Sequence, residues 1–329
     1  CKKLRSAPGL VNAVLRNCLR SKDALQQPEK LSDRYSHPEK LLSLLEAYVG
    51  KDRLEPMLQA NNGAVPTVIQ VNTQRTDTVA LQDRLEQEGV SAKAHPWLSD
   101  CLVLSGTGNL EQLESFREGL FYVQDAAANL SVLCAQLPTD ARVLDCCAAP
   151  GGKSYAAAVA MQGTGRITSC DIHPHKISLI ENGAQRLGFH NIQAQVQDAS
   201  RFNPAWENTM DAVIADVPCS GYGIIRKKPD IRYKDPDTMS FLPALQLEIL
   251  KNQSRHVKPG GILMYSTCTL VRKENEGVVE KFLQENGDFA TEPLALPENF
   301  PENTPGTLTL LPRPYDTDGF FICRMRRKL

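Results

Sequence analysis

The sequence predicts an α/β fold in which a mostly parallel, seven-stranded sheet is covered by helices on both faces. From residue 121 onward, short apolar runs alternate with segments of helical periodicity, and this alternation is typical of βαβ units. Aspartates close three successive apolar runs, at Asp171, Asp198 and Asp216. Because ligands of such folds gather at the carboxyl ends of the strands, we expect the functional residues at that edge of the sheet.

The predicted elements follow from the position of each apolar run and of each helical pattern. Strands are expected at 142–147, 166–171, 192–198, 210–216, 261–267, 307–311 and 319–325. Helices are expected from 125 to about 137 and at 154–162, 174–187, 237–257 and 273–286. Successive strands usually lie side by side, so the strand that ends at Asp216 should neighbour the strand that ends before Cys268.

Two smaller segments precede the α/β region, and the predicted domains are therefore residues 1–60, 61–120 and 121–329. The first segment is helical by its apolar spacing, and its second helix is expected to begin at Pro38 and to end at Gly50. Asn-Asn-Gly after this helical segment is typical of a turn, which marks the boundary to the next domain.

Residues 61–120 predict a small α+β module. Its strands are expected at 68–71 and 101–104, and its helices at 78–88 and 110–118. The module has no set of catalytic residues and lacks the aromatic signature of an RNA-recognition sheet. We therefore interpret it as a module that positions the substrate for the larger domain.

The composition bounds the class of protein. The 329 residues carry a formal net charge of −1, and the ten cysteines form neither a C-x-x-C pair nor a Cys/His cluster at zinc spacing. The sequence shows no apolar run long enough to cross a bilayer and no signal peptide. We therefore expect a reduced, cytoplasmic, monomeric protein without a membrane segment or a metal. The opening at Cys1 reads as mid-domain sequence, so we expect an N-terminal part to be absent.

A glycine turn joins the first predicted strand of the α/β region to its helix. Residues 142–154 read Arg-Val-Leu-Asp-Cys-Cys-Ala-Ala-Pro-Gly-Gly-Lys-Ser. Their end is similar to a phosphate-binding loop, but that motif needs a glycine where Cys147 stands, and the dinucleotide fingerprint G-x-G-x-x-G does not occur here. The remaining interpretation is a site for S-adenosylmethionine (SAM), with Asp171 for the ribose hydroxyls and Asp198 and Asp216 beside it. The alternative is that Asp171, Asp198 and Asp216 are ordinary loop residues that face solvent and bind no ligand.

Two cysteines stand at the ends of two predicted strands. Cys219 follows the strand that ends at Asp216, and Cys268 follows the strand at 261–267. Since neighbouring strands lie about 4.8 Å apart, both thiols should open into one cleft beside the glycine turn. Two buried structural thiols are the alternative, but the polar, turn-rich surroundings of both residues favour a chemical role.

Paired thiols match the chemistry of cytosine methylation at C5. That carbon is too weak a nucleophile to accept a methyl group directly, and addition of a thiolate at C6 makes it enamine-like. Asp216 is placed to protonate or hydrogen-bond the ring at N3. A free cysteine has a pKa of about 8.5, so the nucleophile needs help from its surroundings. For Cys268, we expect this help from the start of the helix near Lys273.

Three stretches together resemble the RNA cytosine-5 methyltransferases of the Nop2/Sun (RsmB/NOP) family. They are Cys-Ala-Ala-Pro-Gly-Gly-Lys at 147–153, Asp-Val-Pro-Cys-Ser-Gly at 216–221 and Ser-Thr-Cys-Thr at 266–269. The helical start, the small module and the junction Phe-Tyr-Val-Gln-Asp at 121–125 are similar to the bacterial RsmB (Fmu, Sun) branch, which carries a NusB-like helical domain in front. The resemblance implies a Rossmann-like, SAM-dependent methyltransferase domain, with residues 1–60 as the end of a NusB-like RNA-binding domain.

The resemblance also implies a role for individual residues. Cys268 would be the nucleophile, Cys219 would assist breakdown of the covalent adduct, and Lys153 would reach toward the base or Asp216. The SAM site would be lined by Cys147, Ala148, Ala149, Pro150, Gly151, Gly152, Lys153, Ser154, Asp171, Asp198 and Asp216. The implied activity is that of a 16S rRNA (cytosine-C5)-methyltransferase, and the implied target is cytosine 967.

A basic loop follows Cys219 at the mouth of the predicted cleft. It carries Arg226, Lys227, Lys228 and Arg232, which we predict to bind the phosphates of RNA. An ordinary solvated loop is the alternative. The target cytosine must leave any stack to expose C5 and C6, so we expect a flipped base or a single-stranded substrate.

Other functions stay open from the sequence alone. The chain could methylate another RNA such as tRNA, methylate DNA or protein on the same scaffold, or be a non-catalytic RNA-binding factor. In DNA cytosine methyltransferases a Pro-Cys cysteine at the end of the fourth strand attacks the base, and this rule would make Cys219 the nucleophile. The presence of both Cys219 and Cys268 favours the RNA pattern.

Overall fold

The computed structural model describes residues 7–21, 24, 28–300 and 306–329, and Cys1 lies outside them. The helices of the first segment are α1 (Pro8–Arg20), α2 (Leu31–Tyr35), α3 (Glu39–Val49) and α4 (Lys51–Asn61). Leu41, Leu45 and Val49 lie on one face of α3 and are buried against α4 and the large domain. As the sequence predicts, α3 follows Pro38 and ends at Gly50.

The small module is a four-stranded antiparallel sheet with two helices. Its elements are β1 (Thr67–Val71), α5 (Thr78–Gln87), β2 (Ser91–Ala94), β3 (Cys101–Ser105), α6 (Glu114–Arg117) and β4 (Phe121–Val123). The strand order β2-β3-β1-β4 and the βαββαβ sequence are those of a ferredoxin-like fold. A short 3₁₀ turn, Leu110–Gln112, precedes α6.

The end of this module differs from the predicted domain limits. β4 pairs with β1 in the small sheet, through Ile69 and Val123 among others, although the sequence interpretation starts the large domain at residue 121. Backbone pairing across the sheet decides the membership of a strand of only three residues, and its own sequence cannot show it. We propose that the boundary between the two domains falls after Val123.

The large domain is built on an eight-stranded sheet within the described residues. Its strands are β5 (Arg142–Asp145), β6 (Arg166–Asp171), β7 (Ile192–Val196), β8 (Met210–Asp216), β9 (Val257–Thr267), β10 (Phe289–Thr291), β11 (Thr307–Leu310) and β12 (Phe320–Arg327). The order is β10-β12-β9-β8-β5-β6-β7, and β11 pairs with β12. The five strands from β9 to β7 run parallel, which confirms the predicted fold class.

Helices cover both faces of the large sheet. They are α7 (Ala126–Leu133), α8 (Gly152–Ala160), α9 (Pro174–Leu187), α10 (Leu242–Ser254) and α11 (Glu276–Glu285). Side chains alternate between the two faces along each strand. Val143 of β5 therefore packs in one core with α7, α8 and α9, and Leu144 in the other with α10 and α11.

Two predicted limits differ from the observed ones for local reasons. The helix expected from 237 begins only at Leu242, because Pro236–Met239 forms a 3₁₀ turn and Pro243 then occupies the first turn of α10. The strand expected from 261 already begins at Val257, and its pairing with β8 shifts register between Met210 and Ala212. No helix in the described part of the chain is both long and apolar enough to cross a membrane.

Candidate active site

The glycine turn between β5 and α8 is a tightly supported cradle. Gly151 has a φ of +117°, and a Cβ atom on it would lie 2.3 Å from the Tyr155 hydroxyl oxygen. Tyr155 in turn donates a hydrogen bond of 3.0 Å to the carbonyl oxygen of Pro150. The main chain of this turn therefore has a fixed conformation and is followed at once by the helix N-terminus, where the first N–H groups are available to an anionic ligand.

A side chain from the junction between the two domains reaches this turn. A Cβ atom on Gly152 would lie 3.0 Å from Nε2 of Gln124, the residue that follows β4. Gln124 is buried, and within the described residues its Oε1 has no hydrogen-bond partner. The sequence interpretation did not assign Gln124 to the site, and only its place in the 121–125 junction could have pointed to it.

A buried carboxylate lies beneath the turn. Asp145 ends β5 and accepts a hydrogen bond of 2.7 Å from Ser154 Oγ, which also contacts Ser169 Oγ at 2.7 Å. Burial raises the pKa of Asp145 to about 7. Asp145 was not among the predicted site residues, although it closes a strand as Asp171 and Asp216 do.

Asp171 and Asp198 follow the next strands at the same edge of the sheet. Asp171 is almost fully buried and accepts hydrogen bonds from the main-chain N–H of His173 at 3.0 Å and from Lys176 at 3.5 Å. Asp198 accepts a bond of 2.9 Å from the N–H of Ser200. Both carboxylates are thereby fixed beside the turn, in the order that the sequence predicts for a nucleoside ligand.

An ion pair lies on the other side of the turn. Lys153 Nζ is 2.7 Å from Asp216 Oδ2, and Ser266 donates a bond of 2.9 Å to Asp216 Oδ1. Burial would lower the pKa of Lys153, but the charge of Asp216 and the hydrogen bond to it more than offset this effect, so the pKa is raised. Lys153 also lies 5.1 Å from the ring centre of Phe320. The pair therefore holds a fixed ammonium and a fixed carboxylate at the end of β8.

The two predicted cysteines lie next to each other. Cys219 Sγ and Cys268 Sγ are 3.3 Å apart, and the loops that carry them leave the paired strands β8 and β9. The hydrogen bond between the thiols, and then burial, raises the pKa of Cys219 well above its ordinary value. Lys153 is close enough to Cys268 for their charges to interact. The cation identified beside Cys268 is therefore Lys153. The sequence predicts help from the start of the helix near Lys273, but α11 begins only at Glu276 and Lys273 is exposed.

Further contacts join the two cysteine loops. Ser220 Oγ and Thr269 Oγ1 are 2.6 Å apart, and the N–H of Gly223 donates a bond of 2.9 Å to the carbonyl oxygen of Cys268. The residue after each cysteine is thus tied to the opposite loop. The separation of the two sulfur atoms is set by both loops together.

Family models match the chain in two parts. The model described as 16S rRNA methyltransferase RsmB/F matches residues 132–326, and a model for the ferredoxin-like domain of RsmF/B-like methyltransferases matches residues 37–111. The chain belongs to the RsmB/F family of 16S rRNA methyltransferases. It is therefore a methyltransferase, and the family resemblance seen in the sequence is confirmed.

Curated relatives agree with this family. The probable ribosomal RNA small subunit methyltransferase B of Bacillus subtilis is 37% identical and is matched by 99% of this chain, over 76% of its own length. The corresponding Synechocystis protein is 34% identical, with 98% of this chain and 75% of the relative covered. The chain thus spans about three quarters of the length of these relatives.

Solved structures share the fold of this RsmB/F chain. A methyltransferase homologue from Pyrococcus horikoshii is 26% identical with a TM-score of 0.74, and the match covers 90% of this chain and 97% of that one. NSun6 from Pyrococcus horikoshii, solved with SFG, has a TM-score of 0.80 at 20% identity, over 88% of this chain and 98% of that one. Matches of this length include residues of both the small and the large domain.

The basic loop of this RsmB/F chain differs from the expectation. Arg226 is almost entirely buried and pairs with Asp316 at 2.7 Å, and Lys227 contacts both Asp125 and Asp318 at 2.8 and 2.7 Å.

Arg232 is also buried. It donates hydrogen bonds to the carbonyl oxygens of Tyr35 and Ser36 and to Asn62 Oδ1, at 3.0–3.3 Å. Arg226, Lys227 and Arg232 thus hold the loop against the rest of the chain, since a buried guanidinium needs partners inside the protein. Lys227 and Lys228 are both exposed, and their contact with RNA stays a prediction. Lys228 makes none of the contacts described for the other three, so it is the stronger candidate of the two.

Proposed function

We propose that this chain is a SAM-dependent methyltransferase that forms 5-methylcytosine in 16S rRNA through a covalent bond between Cys268 and C6 of the base. The observation that carries the proposal is the 3.3 Å distance between the sulfur atoms of Cys219 and Cys268, beside the pair of Lys153 and Asp216. Two thiols and an ion pair in one cleft supply a nucleophile, a proton acceptor and hydrogen bonds for one ring.

The residues around the glycine turn fit SAM. Tyr155 packs against Gly151 and supports the turn, and the N-terminus of α8 that follows favours a carboxylate. Asp171 and Asp198, whose carboxylates are held by main-chain N–H groups, would offer acceptors to the ribose hydroxyls and the adenine amino group. Bound SAM would supply an electrophilic methyl group. A structural relative solved with SFG, a SAM analogue, supports the same cofactor.

The cleft can form the covalent adduct in one step. The Cys268 thiolate attacks C6, the S–C6 bond forms, and the electron pair of the C5–C6 double bond moves toward N3. Lys153 and Asp216 are placed to supply a hydrogen bond or a proton there. Cys268 attacks after it has lost its proton to solvent, with the ammonium of Lys153 nearby, and the family resemblance is what assigns the attack to Cys268 and not to Cys219.

Release of the product needs a base. Cys219 acts here as a thiolate, after its own proton has passed to solvent. Once C5 carries the methyl group, its remaining proton goes to the Cys219 thiolate, the C5–C6 double bond re-forms, and the electron pair of the S–C6 bond returns to Cys268. Any proton that N3 received during the addition returns to the Lys153–Asp216 pair.

The substrate proposal rests on the relatives. Curated relatives at 34–37% identity are named small subunit rRNA methyltransferases B, and cytosine 967 is the target that the sequence resemblance implies. The exposed Lys228 is proposed to contact phosphate next to the target base. We infer no role in tRNA modification for this chain, but tRNA is included in the test.

The decisive experiment supplies methyl-labelled SAM with 16S rRNA, tRNA and a DNA copy of the rRNA sequence. We expect label in rRNA alone, as 5-methylcytosine at position 967. Label in DNA, at a ring position other than C5, or in tRNA in preference to rRNA would overturn the proposal.

A further inference from the structure

Glu274 is a buried carboxylate that the reaction described above does not use. It is 3% exposed and lies in the 3₁₀ turn Arg272–Glu274, six residues after Cys268. Its Oε2 accepts a hydrogen bond of 2.9 Å from the N–H of Ser220 and another of 2.9 Å from Nε2 of Gln246. A carboxylate is costly to bury, so these donors and this position require an explanation.

Gln246 completes a clamp around Cys219. From α10, its Nε2 also donates a bond of 2.9 Å to the carbonyl oxygen of Pro218. Pro218 C=O belongs to the peptide bond before Cys219, and Ser220 N–H to the peptide bond after it. Both peptide groups next to Cys219 are therefore held by two side chains that are bonded to each other, and we call this arrangement the Glu274–Gln246 clamp.

The clamp is connected to the loop of the other cysteine. Asn275, next to Glu274, accepts a hydrogen bond of 2.6 Å from Thr267 and donates one of 3.0 Å to the carbonyl oxygen of Thr269. Thr267 and Thr269 flank Cys268. Two consecutive residues, Glu274 and Asn275, thus contact the loops of both cysteines: Glu274 the N–H after Cys219, and Asn275 the Thr267 hydroxyl and the Thr269 carbonyl on either side of Cys268.

We propose that Glu274 and Gln246 are positioning residues that hold Cys219 for removal of the C5 proton from the Cys268 adduct. The inference rests on the proposed function, because it presumes a covalent adduct that Cys219 resolves. Misplacement of a reacting group by about 1 Å can cost a factor of ~100 in rate. Attack by Cys268 and methyl transfer do not involve Cys219 as a base, so the clamp should matter only for the last step.

The test compares Glu274→Ala and Gln246→Leu with wild-type protein, with Cys219→Ala, and with Glu280→Ala, an exposed acid on α11, as the matched control. Two quantities are measured on 16S rRNA: methyl transfer in the first turnover, and the fraction of protein in an SDS-stable RNA adduct. We expect both clamp variants to keep first-turnover transfer and to resolve the adduct ~10- to 100-fold more slowly. Glu280→Ala should behave as wild type.

Glu274→Gln separates geometry from charge. Both hydrogen bonds of Glu274 go to a single oxygen, and the amide of glutamine can keep them. The negative charge of Glu274 is one of the effects that raise the pKa of Cys219. Its removal should lower that pKa and move the pH dependence of adduct breakdown to lower pH, with the clamp intact.

The outcomes distinguish the clamp from the proposed function. If Cys219→Ala gives no adduct, the proposed role of Cys219 fails. If Cys219→Ala traps the adduct but Glu274→Ala and Gln246→Leu resolve it at the wild-type rate, the clamp is wrong and the proposed function stands. Loss of first-turnover transfer in parallel with adduct breakdown in both clamp variants would overturn the positioning role. An unshifted pH profile in Glu274→Gln would overturn the effect of the Glu274 charge on Cys219.

Discussion

Lys153 Nζ lies 2.7 Å from Asp216 Oδ2, and this contact joins the helix after the glycine turn to the strand that leads to Cys219. A residue of the proposed cofactor site thereby forms an ion pair with a residue that is proposed to contact the target cytosine. The ammonium is held by burial and by its partner, so it does not have to be oriented anew when substrate binds.

Replacement of Lys153 by methionine should abolish most of the catalysis. The variant keeps the length of the side chain but removes the charge beside N3 and leaves Asp216 without its partner. Loss of such an electrostatic contact costs a factor of about 100–1000 in turnover. First-turnover methyl transfer is the measurement. Lys258→Met is the matched control. Lys258 pairs at 2.8 Å with Asp211, which lies on β8 like Asp216 but at the opposite end of the strand from the site. Equal activity of the two variants would contradict the prediction.

The two cysteines should give opposite results when each is changed to alanine. Cys268→Ala should transfer no methyl group and form no adduct, since Cys219, the neighbouring thiol, is proposed to act as a base and not as the nucleophile. Cys219→Ala should transfer one methyl group and remain attached to RNA. Gel electrophoresis in SDS measures the adduct. Cys18→Ala, at an exposed position, is the control and should turn over normally. An active Cys268→Ala without an adduct in Cys219→Ala would reverse the assigned roles.

Gly151→Ala should prevent SAM binding. The substitution combines a positive φ with a Cβ atom 2.3 Å from Tyr155, so the turn must move. Gly50→Ala is a matched control, because Gly50 also has a positive φ of +81° but open space around its Cβ position. It should cost only about 1–2 kcal/mol of stability and leave SAM affinity unchanged. Calorimetry with SAM measures the affinity, and normal binding by Gly151→Ala would refute the predicted cradle.

Substitution of Arg232 should lower the stability of the fold, and substitution of Lys228 should weaken RNA binding. Arg232→Ala removes three buried hydrogen bonds to the helical start and should lower the free energy of unfolding by about 2–3 kcal/mol. Lys228→Ala should leave stability unchanged, weaken RNA binding and reduce its salt slope by about one. Thermal unfolding and RNA titrations at several salt concentrations measure the two effects. Weaker RNA binding by an Arg232→Ala protein of unchanged stability would instead support the prediction from the sequence that Arg232 binds RNA.

Asp145 should make stability fall as pH rises. Its pKa in the folded state, about 7, is above the unfolded value of 3.8, so between these values the folded protein binds more protons than the unfolded chain. Stability from this group is therefore greatest below pH 4 and is lost progressively up to pH 7, by at most about 4 kcal/mol. Asp145→Asn should remove this part of the slope. Unfolding measured at a series of pH values tests it, and identical slopes would contradict the raised pKa.

The sequence was sufficient for the parts that local patterns determine. The alternation of apolar runs and helical spacing predicts the parallel strands that position Asp171 and Asp216, because buried strands and amphipathic helices have different periods. The pairing of β8 with β9 follows from their succession in the chain. The contact of Cys219 with Cys268 agrees with this reasoning.

Long-range pairing is the part that the sequence could not provide. Arg226 has its carboxylate partner 90 residues away, at Asp316, and Arg232 is bonded to Tyr35, so neither cation shows its partner in the local sequence. β2 has only one buried residue and β10 is three residues long, so neither has an apolar pattern to detect. Glu274 was missed for the same reason, because its donors Ser220 and Gln246 come from two other elements.

The antiparallel strand β12 lies between β9 and β10, and this order has a consequence for biosynthesis. Ser266 and Thr267, just before Cys268, pair with Ile322 and Phe321, which the ribosome adds more than fifty residues later. Until Phe320–Arg327 has emerged, β9 has β8 as its neighbour on one side and an open edge on the other. The strand that leads to Cys268 therefore completes its backbone pairing only when this late strand has been made.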